Sequence, residues 1–125
     1  MHHLPFQTLI GHMDAIGLLG GAQELEALVA QHPNVERLIC GHLHRSIQVR
    51  FGGSIAATAP SPAHQVCLDL AADAPSQWVL EPPGFVLHAL PNQSAFSKGR
   101  LVSHTVASGQ YNGPSPFHDG DQLID

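Results

Sequence analysis

Apolar residues in this chain keep a helical period only near the start. Leu25, Leu28 and Val29 recur at i, i+3 and i+4, with Gln23, Glu24 and Glu26 on the other faces, which is the spacing of an amphipathic helix. Gly20-Gly21 breaks the chain before it. His32-Pro33-Asn34 ends it, because Pro33 cannot continue a helix and disfavours helical backbone at His32. Residues 35–40 form a short apolar run that reads as a strand and stops at Gly41. From there the period becomes two. Ile47, Val49 and Phe51 alternate with Gln48 and Arg50, as a half-buried strand does. Gly52-Gly53 is a two-residue hairpin signal, and residues 54–58 supply the returning strand. Residues 64–70 alternate through Val66, Leu68 and Leu70, residues 71–76 read as a loop, and 77–80, 84–90 and 101–107 read as further strands. The stretch from Gln110 onward carries Asn112, Gly113, Pro114, Pro116 and Gly120 and is expected to hold little regular structure. The pattern predicts an α/β chain: a helical segment, then mainly β-strands, with a helix on one face of a mixed sheet.

Composition narrows the functional classes. The 125 residues suffice for one domain, and 43% hydrophobic content can bury a core. Charged residues make up only 12%, and ten histidines outnumber the five Lys and Arg. So little charge suggests that part of the surface is covered by a partner chain or by further protein. A net charge of −5 argues against a nucleic-acid polymer as partner, since phosphate backbones call for a Lys/Arg footprint. No apolar run reaches the length of a membrane span, and His2-His3-Leu4-Pro5 after Met1 does not read as a signal peptide. Cys40 and Cys67 sit in separate apolar runs and read as buried thiols rather than a disulfide. A cytoplasmic location is expected.

Two histidine pairs stand apart, His2-His3 and His42-x-His44. Neutral imidazole is a common ligand for transition metals. His-x-His at a strand end can place both rings on one side, whereas on the loop after a strand the rings can serve different ions. Gly41 before the pair permits close backbone approach or an unusual φ. Alone this is a weak signal. His64, His88 and His104 lie in strand patterns and read as sheet residues, His32 ends a helix, and His118 lies in the tail.

The order of segments is more specific. Met1-His2-His3-Leu4-Pro5-Phe6, Gly11-His12-Met13-Asp14-Ala15-Ile16, Asn34-Val35-Glu36-Arg37, Cys40-Gly41-His42-Leu43-His44-Arg45 and Ala59-Pro60-Ser61-Pro62-Ala63-His64-Gln65-Val66 follow one another along the chain. Together they resemble the C-terminal half of the calcineurin-like metallophosphoesterases. The nearest likeness is to the class III 3',5'-cyclic-nucleotide phosphodiesterases and the related glycerophosphodiesterases. The resemblance implies the C-terminal half of a four-layer α/β/β/α sandwich over residues 1–117, followed by an irregular tail at 118–125. It implies hydrolysis of phosphodiesters, cyclic nucleotides such as cAMP foremost, at a site with two divalent ions (Mn, Fe or Zn). His2 and His42 would bind one ion and His44 the other. His3 would lie just outside the ligands, and Arg45 would approach substrate phosphate, a role with which a structural ion pair competes. Leu4 stands where the pattern has proline, which would loosen the loop carrying His2.

The family's Asp-x-His, Gly-Asp-x-x-Asp and Gly-Asn-His motifs do not occur in these residues. Three histidines do not build a dinuclear site, so the expectation is a C-terminal fragment, inactive alone, whose partner is an N-terminal half or a second copy of the chain. The competing readings are a non-catalytic remnant acting as an oligomerisation or interaction module, and a single zinc ion held by His2, His42 and His44.

Overall fold

The computed structural model describes residues 1–91 and 99–123. A short helix α1 (Gly11–Asp14) and a longer helix α2 (Ala22–Ala30) precede the strands. Strands β1 (Arg37–Cys40), β2 (Gln48–Phe51) and β3 (Ser54–Thr58) form a sheet in the order β1-β3-β2. Gly52-Gly53 joins β2 to β3 as the antiparallel hairpin that the sequence predicts, Val49 facing Ala56 and Phe51 facing Ser54. β1 enters on the other side of β3, parallel to it, with Leu38 opposite Ala56 and Cys40 opposite Thr58.

α2 lies against this sheet. Val29 packs with Phe51 and Ala56, bordered by Leu25, Leu38 and Val49. Leu28 does not join them and remains half exposed. At 3.6 residues per turn, Leu25 and Val29 fall almost in line, while Leu28 lies at the margin of the apolar stripe. Burial along the sheet alternates as period two requires. Cys40 and Ala56 are enclosed, whereas Ile39 and Ile55 are 46% and 38% exposed.

A second cluster gathers Leu4, Ile10, Met13, Cys40, Leu43 and Val66. It joins the opening segment and α1 to the chain that leaves β1. Leu4 therefore does not loosen the loop beside it. Its side chain is 3% exposed within this core, and its carbonyl accepts a 2.9 Å hydrogen bond from the Leu18 amide. An apolar side chain there fastens the loop through burial.

The remaining strands are smaller. β4 (Gln65–Val66) pairs with β5 (Trp78–Val79), so only two residues of the alternating run 64–70 join a ladder. β6 (Gly84–Ala89) and β7 (Val102–Ala107) form a six-residue antiparallel ribbon. His88 meets the Ser103 hydroxyl across it at 2.8 Å, the role expected of a sheet histidine. In the tail, β8 (His118–Asp119) pairs with β9 (Gln122–Leu123). That small hairpin corrects the expectation of an irregular segment. It turns through Gly120 at φ +59°, a conformation that glycine adopts at little cost. Both cysteines are free, Cys40 buried and Cys67 half-buried. No helix among the described residues is long and apolar enough to cross a membrane.

Candidate metal centre

The histidines meet where the opening segment lies alongside the end of β1. The Met1 nitrogen donates to the Ile39 carbonyl at 2.9 Å, and the Gly41 amide donates to the carbonyls of Met1 and His2, each at 3.2 Å. Gly41 eases this approach, because a Cβ there would stand 3.2 Å from His2 Nδ1 and the ring would have to give by a few tenths of an ångström. The close backbone approach expected at Gly41 is thus the approach of a histidine ring.

Beyond Gly41 the backbone folds tightly. The Leu43 amide bonds to the Gly41 carbonyl at 2.8 Å, across His42 at φ +71°. This is a γ-turn of the rare positive-φ kind. His44 also takes positive φ, at +51°. Two non-glycine residues in this region carry strain that surrounding structure must hold in place. Leu43 between them is fully buried and anchors the turn. Thr58, at the end of β3, grips the far side: its hydroxyl donates to the Arg45 carbonyl and accepts from the Ile47 amide at 3.1 Å.

The result is two groups of imidazoles. In the first, His42 Nδ1 lies 3.1 Å from His2 Nε2, and His3 joins them. One nitrogen from each of His2, His3 and His42 falls within a 4.8 Å span. In the second, His44 Nδ1 lies 3.3 Å from His64 Nε2, and the His64 ring packs against Trp78 with centroids 5.5 Å apart. His2 and His42 are therefore adjacent, and His44 faces elsewhere. The three-residue set His2, His42 and His44 is not the one assembled, because the turn at 42–44 points the two rings of His42-x-His44 to different neighbours.

The strand pattern places His64 within a sheet, whereas the structure sets it outside the ladder and beside His44. It precedes β4 and sits on a tight loop. The buried Gln65 side chain accepts from the Ser61 amide at 3.0 Å and donates to the Ser61 carbonyl at 2.9 Å. The signal available in sequence was Ser61-Pro62-Ala63-His64-Gln65 itself, whose proline and serine mark a turn. Arg45 is engaged structurally, its Nη2 2.8 Å from Glu81 Oε2 and its Nε 2.7 Å from the Val66 carbonyl. His3 also borders an apolar cavity of about 470 Å³, with Ile16, Leu18 and Leu19 on its walls.

Burial lowers the tendency of His42 to carry a proton, and the neighbouring His2, His3 and His44 lower it further. Neutral imidazole is the ligand form, so the electrostatics suit metal binding. The donor set fits a transition ion: imidazole nitrogens suit zinc, iron, nickel or copper, whereas magnesium and calcium take oxygen ligands. A pH effect follows. The unfolded chain takes up a proton at the ordinary imidazole value of 6.5, and the folded chain does so only at lower pH. Stability of the metal-free protein should therefore fall as the pH drops below 6.5 and level off below the lowered folded value. Denaturant midpoints across that range, in chelator, should show a shallower slope for His42→Asn; equal slopes would remove His42 as the cause.

No family model matches the chain. Individual proteins do. The chain is 38% identical, in an alignment that covers all of it, to a probable glycerophosphodiester phosphodiesterase GpdQ of Arcobacter nitrofigilis. It is a phosphodiesterase homologue. A probable cyclic nucleotide phosphodiesterase of Rhodopseudomonas palustris is 33% identical over 98% of the chain. The glycerophosphodiester phosphodiesterase GpdQ of Enterobacter lignolyticus is 29% identical over 90% of it. These proteins bear out the resemblance to the class III phosphodiesterase group within the metallophosphoesterases, and the match covers their C-terminal part. The chain spans 44%, 42% and 40% of their lengths.

Proposed function

We propose that this homologue forms the C-terminal part of a metal-dependent phosphodiesterase whose substrates are phosphodiesters, cyclic nucleotides such as cAMP foremost. The observation that carries the reading is the pairing of His2 with His42 at 3.1 Å, with His44 turned away toward His64. That partition suits two ions, His2 and His42 on one and His44 on the other. Divalent ions held there would polarise phosphoryl oxygens and lower the pKa of a bound water. This chain's residues do the rest. The strained turn at 42–44 fixes the two rings, Gly41 admits His2, and the Arg45–Glu81 pair fastens the following loop to the segment after β5. His64 stands beside His44 where it can hydrogen-bond a phosphate oxygen or hold the ligand ring in one orientation. The four-layer sandwich, with an N-terminal half against the half-exposed Ile39 and Ile55, belongs to the same proposal, as does a cytoplasmic location.

The test is hydrolysis of a chromogenic phosphodiester and of cAMP by the full-length polypeptide containing this chain, with Mn²⁺, Fe²⁺ or Zn²⁺ loading verified. Turnover that depends on the added ion is expected. No hydrolysis in fully loaded protein would end the catalytic reading. One observation favours a second role in self-association. Phe85, Leu87 and Val102 are exposed on the β6–β7 ribbon, and these positions share one face in its register. Light scattering decides this, since a strict monomer removes it.

A further inference from the structure

We propose that His3 is a ligand in its own right, so that His2, His3 and His42 together hold one divalent transition ion on this chain without any carboxylate. The idea rests on the metal-centre reading above and changes it in one respect: His3 moves from beside the ligands into the ligand set.

Consecutive residues in extended chain point to opposite sides, so His2 and His3 would ordinarily diverge. Here the backbone bends at His3 and their ring centroids lie 5.0 Å apart with the planes at 84°. The other two pairs are alike, His2 to His42 at 4.8 Å and His3 to His42 at 4.9 Å. Three rings thus stand at the corners of a nearly equilateral triangle, tilted rather than stacked, as rings that aim nitrogens at one point must be. A tetrahedral zinc ion places its imidazole nitrogens about 3.4 Å from one another. The His2–His42 pair, at 3.1 Å, already approximates one edge. All three nitrogens lie within 4.8 Å of one another, close to the spacing of a tetrahedral site, and the His3 ring is exposed, so it can turn to close the set.

The donor chemistry sets the ion. Three neutral imidazoles favour Zn²⁺, Ni²⁺ or Cu²⁺ and give little hold on Mg²⁺ or Ca²⁺. Three protein ligands leave a fourth position open, the layout of a zinc site that accepts water or substrate. His44 is not part of this set, because its Nδ1 lies 3.3 Å from His64 Nε2.

The experiment uses the 125-residue chain made without a histidine tag. Co²⁺ is titrated and followed by its visible d–d absorption, and Zn²⁺ by calorimetry. One ion per chain is expected, with four-coordinate Co²⁺ bands. His3→Ala and His3→Gln should each weaken Zn²⁺ at least about 10-fold, as should His2→Ala, while His104→Ala, on the exposed β6–β7 ribbon outside both imidazole groups, leaves affinity unchanged. Circular dichroism confirms that each variant keeps the fold. Unchanged affinity in both His3 variants, with loss in His2→Ala, overturns the proposal and leaves the paired-histidine reading standing. Absence of binding by the unaltered chain removes this His₃ site, while ion-dependent turnover by the full-length polypeptide remains the separate measure of the wider reading.

Discussion

Gly52→Ala should cost about 3 kcal/mol of folding stability, a large part of what a small domain possesses. Gly52 turns the β2–β3 hairpin at φ +57° with α2 pressed against it. An added Cβ would lie 2.6 Å from the Glu26 carbonyl oxygen, 2.9 Å from Val29 Cγ1 and 3.0 Å from the Ala30 nitrogen. Two of those three atoms are backbone, so a turn of the Val29 side chain cannot by itself relieve the clash, and relief requires the helix to lift from the sheet. Left-handed backbone adds about 1–2 kcal/mol for a residue with a Cβ, and overpacking adds about 1–3 kcal/mol. Gly53→Ala is the matched control. Gly53 has φ +85° but open space around it, so it should show the backbone part alone. Urea midpoints for the two variants measure the difference. Equal shifts would mean that the helix does not press on the hairpin.

His42→Asn should reduce ion-dependent phosphodiester hydrolysis by the full-length polypeptide at least about 100-fold, since loss of a residue that merely supports a ligand already costs about 10–100-fold. Asparagine suits the comparison because it tolerates positive φ better than alanine; the substitution removes the imidazole and spares the turn. Metal analysis on the same samples should show one ion lost. Full activity with full metal content would take His42 out of the centre. Loss of activity with both ions retained would assign it to substrate rather than metal.

Much of this fold was legible because its elements obey one period each. The hairpin at Gly52-Gly53, the strand ending at Cys40 and the helix ending before Pro33 are local events, written in local residues. What was not legible depends on contacts between distant segments. Leu4 looked like a defect beside Pro5, yet it is a core residue because Leu43 and Cys40 come to meet it. His64 looked like one of several alternating positions, and only the return of the chain through Trp78 sets it against His44. The resemblance puts His3 just outside the ligands, and its nearness to His2 and His42 depends on a backbone bend at His3 that local residue types do not announce. The charge shortage was the useful part of the composition, since half-exposed Ile39 and Ile55 leave the sheet with an apolar margin. The abundance of histidine was not, because His32, His88, His104 and His118 lie outside both imidazole groups.

The positive φ angles at His42 and His44 also limit what can replace these side chains. Ligand exchange is a common way to change the ion a protein prefers, and cysteine or glutamate would be the obvious substitutes for imidazole. Neither sits easily in left-handed backbone, whereas asparagine and aspartate do. The turn therefore acts as a filter on chemistry: of the negatively charged oxygen donors, aspartate alone could enter at 42 or 44 without first remaking the loop. At the proposed ligand positions 42 and 44, a drift toward harder cations would pass through aspartate.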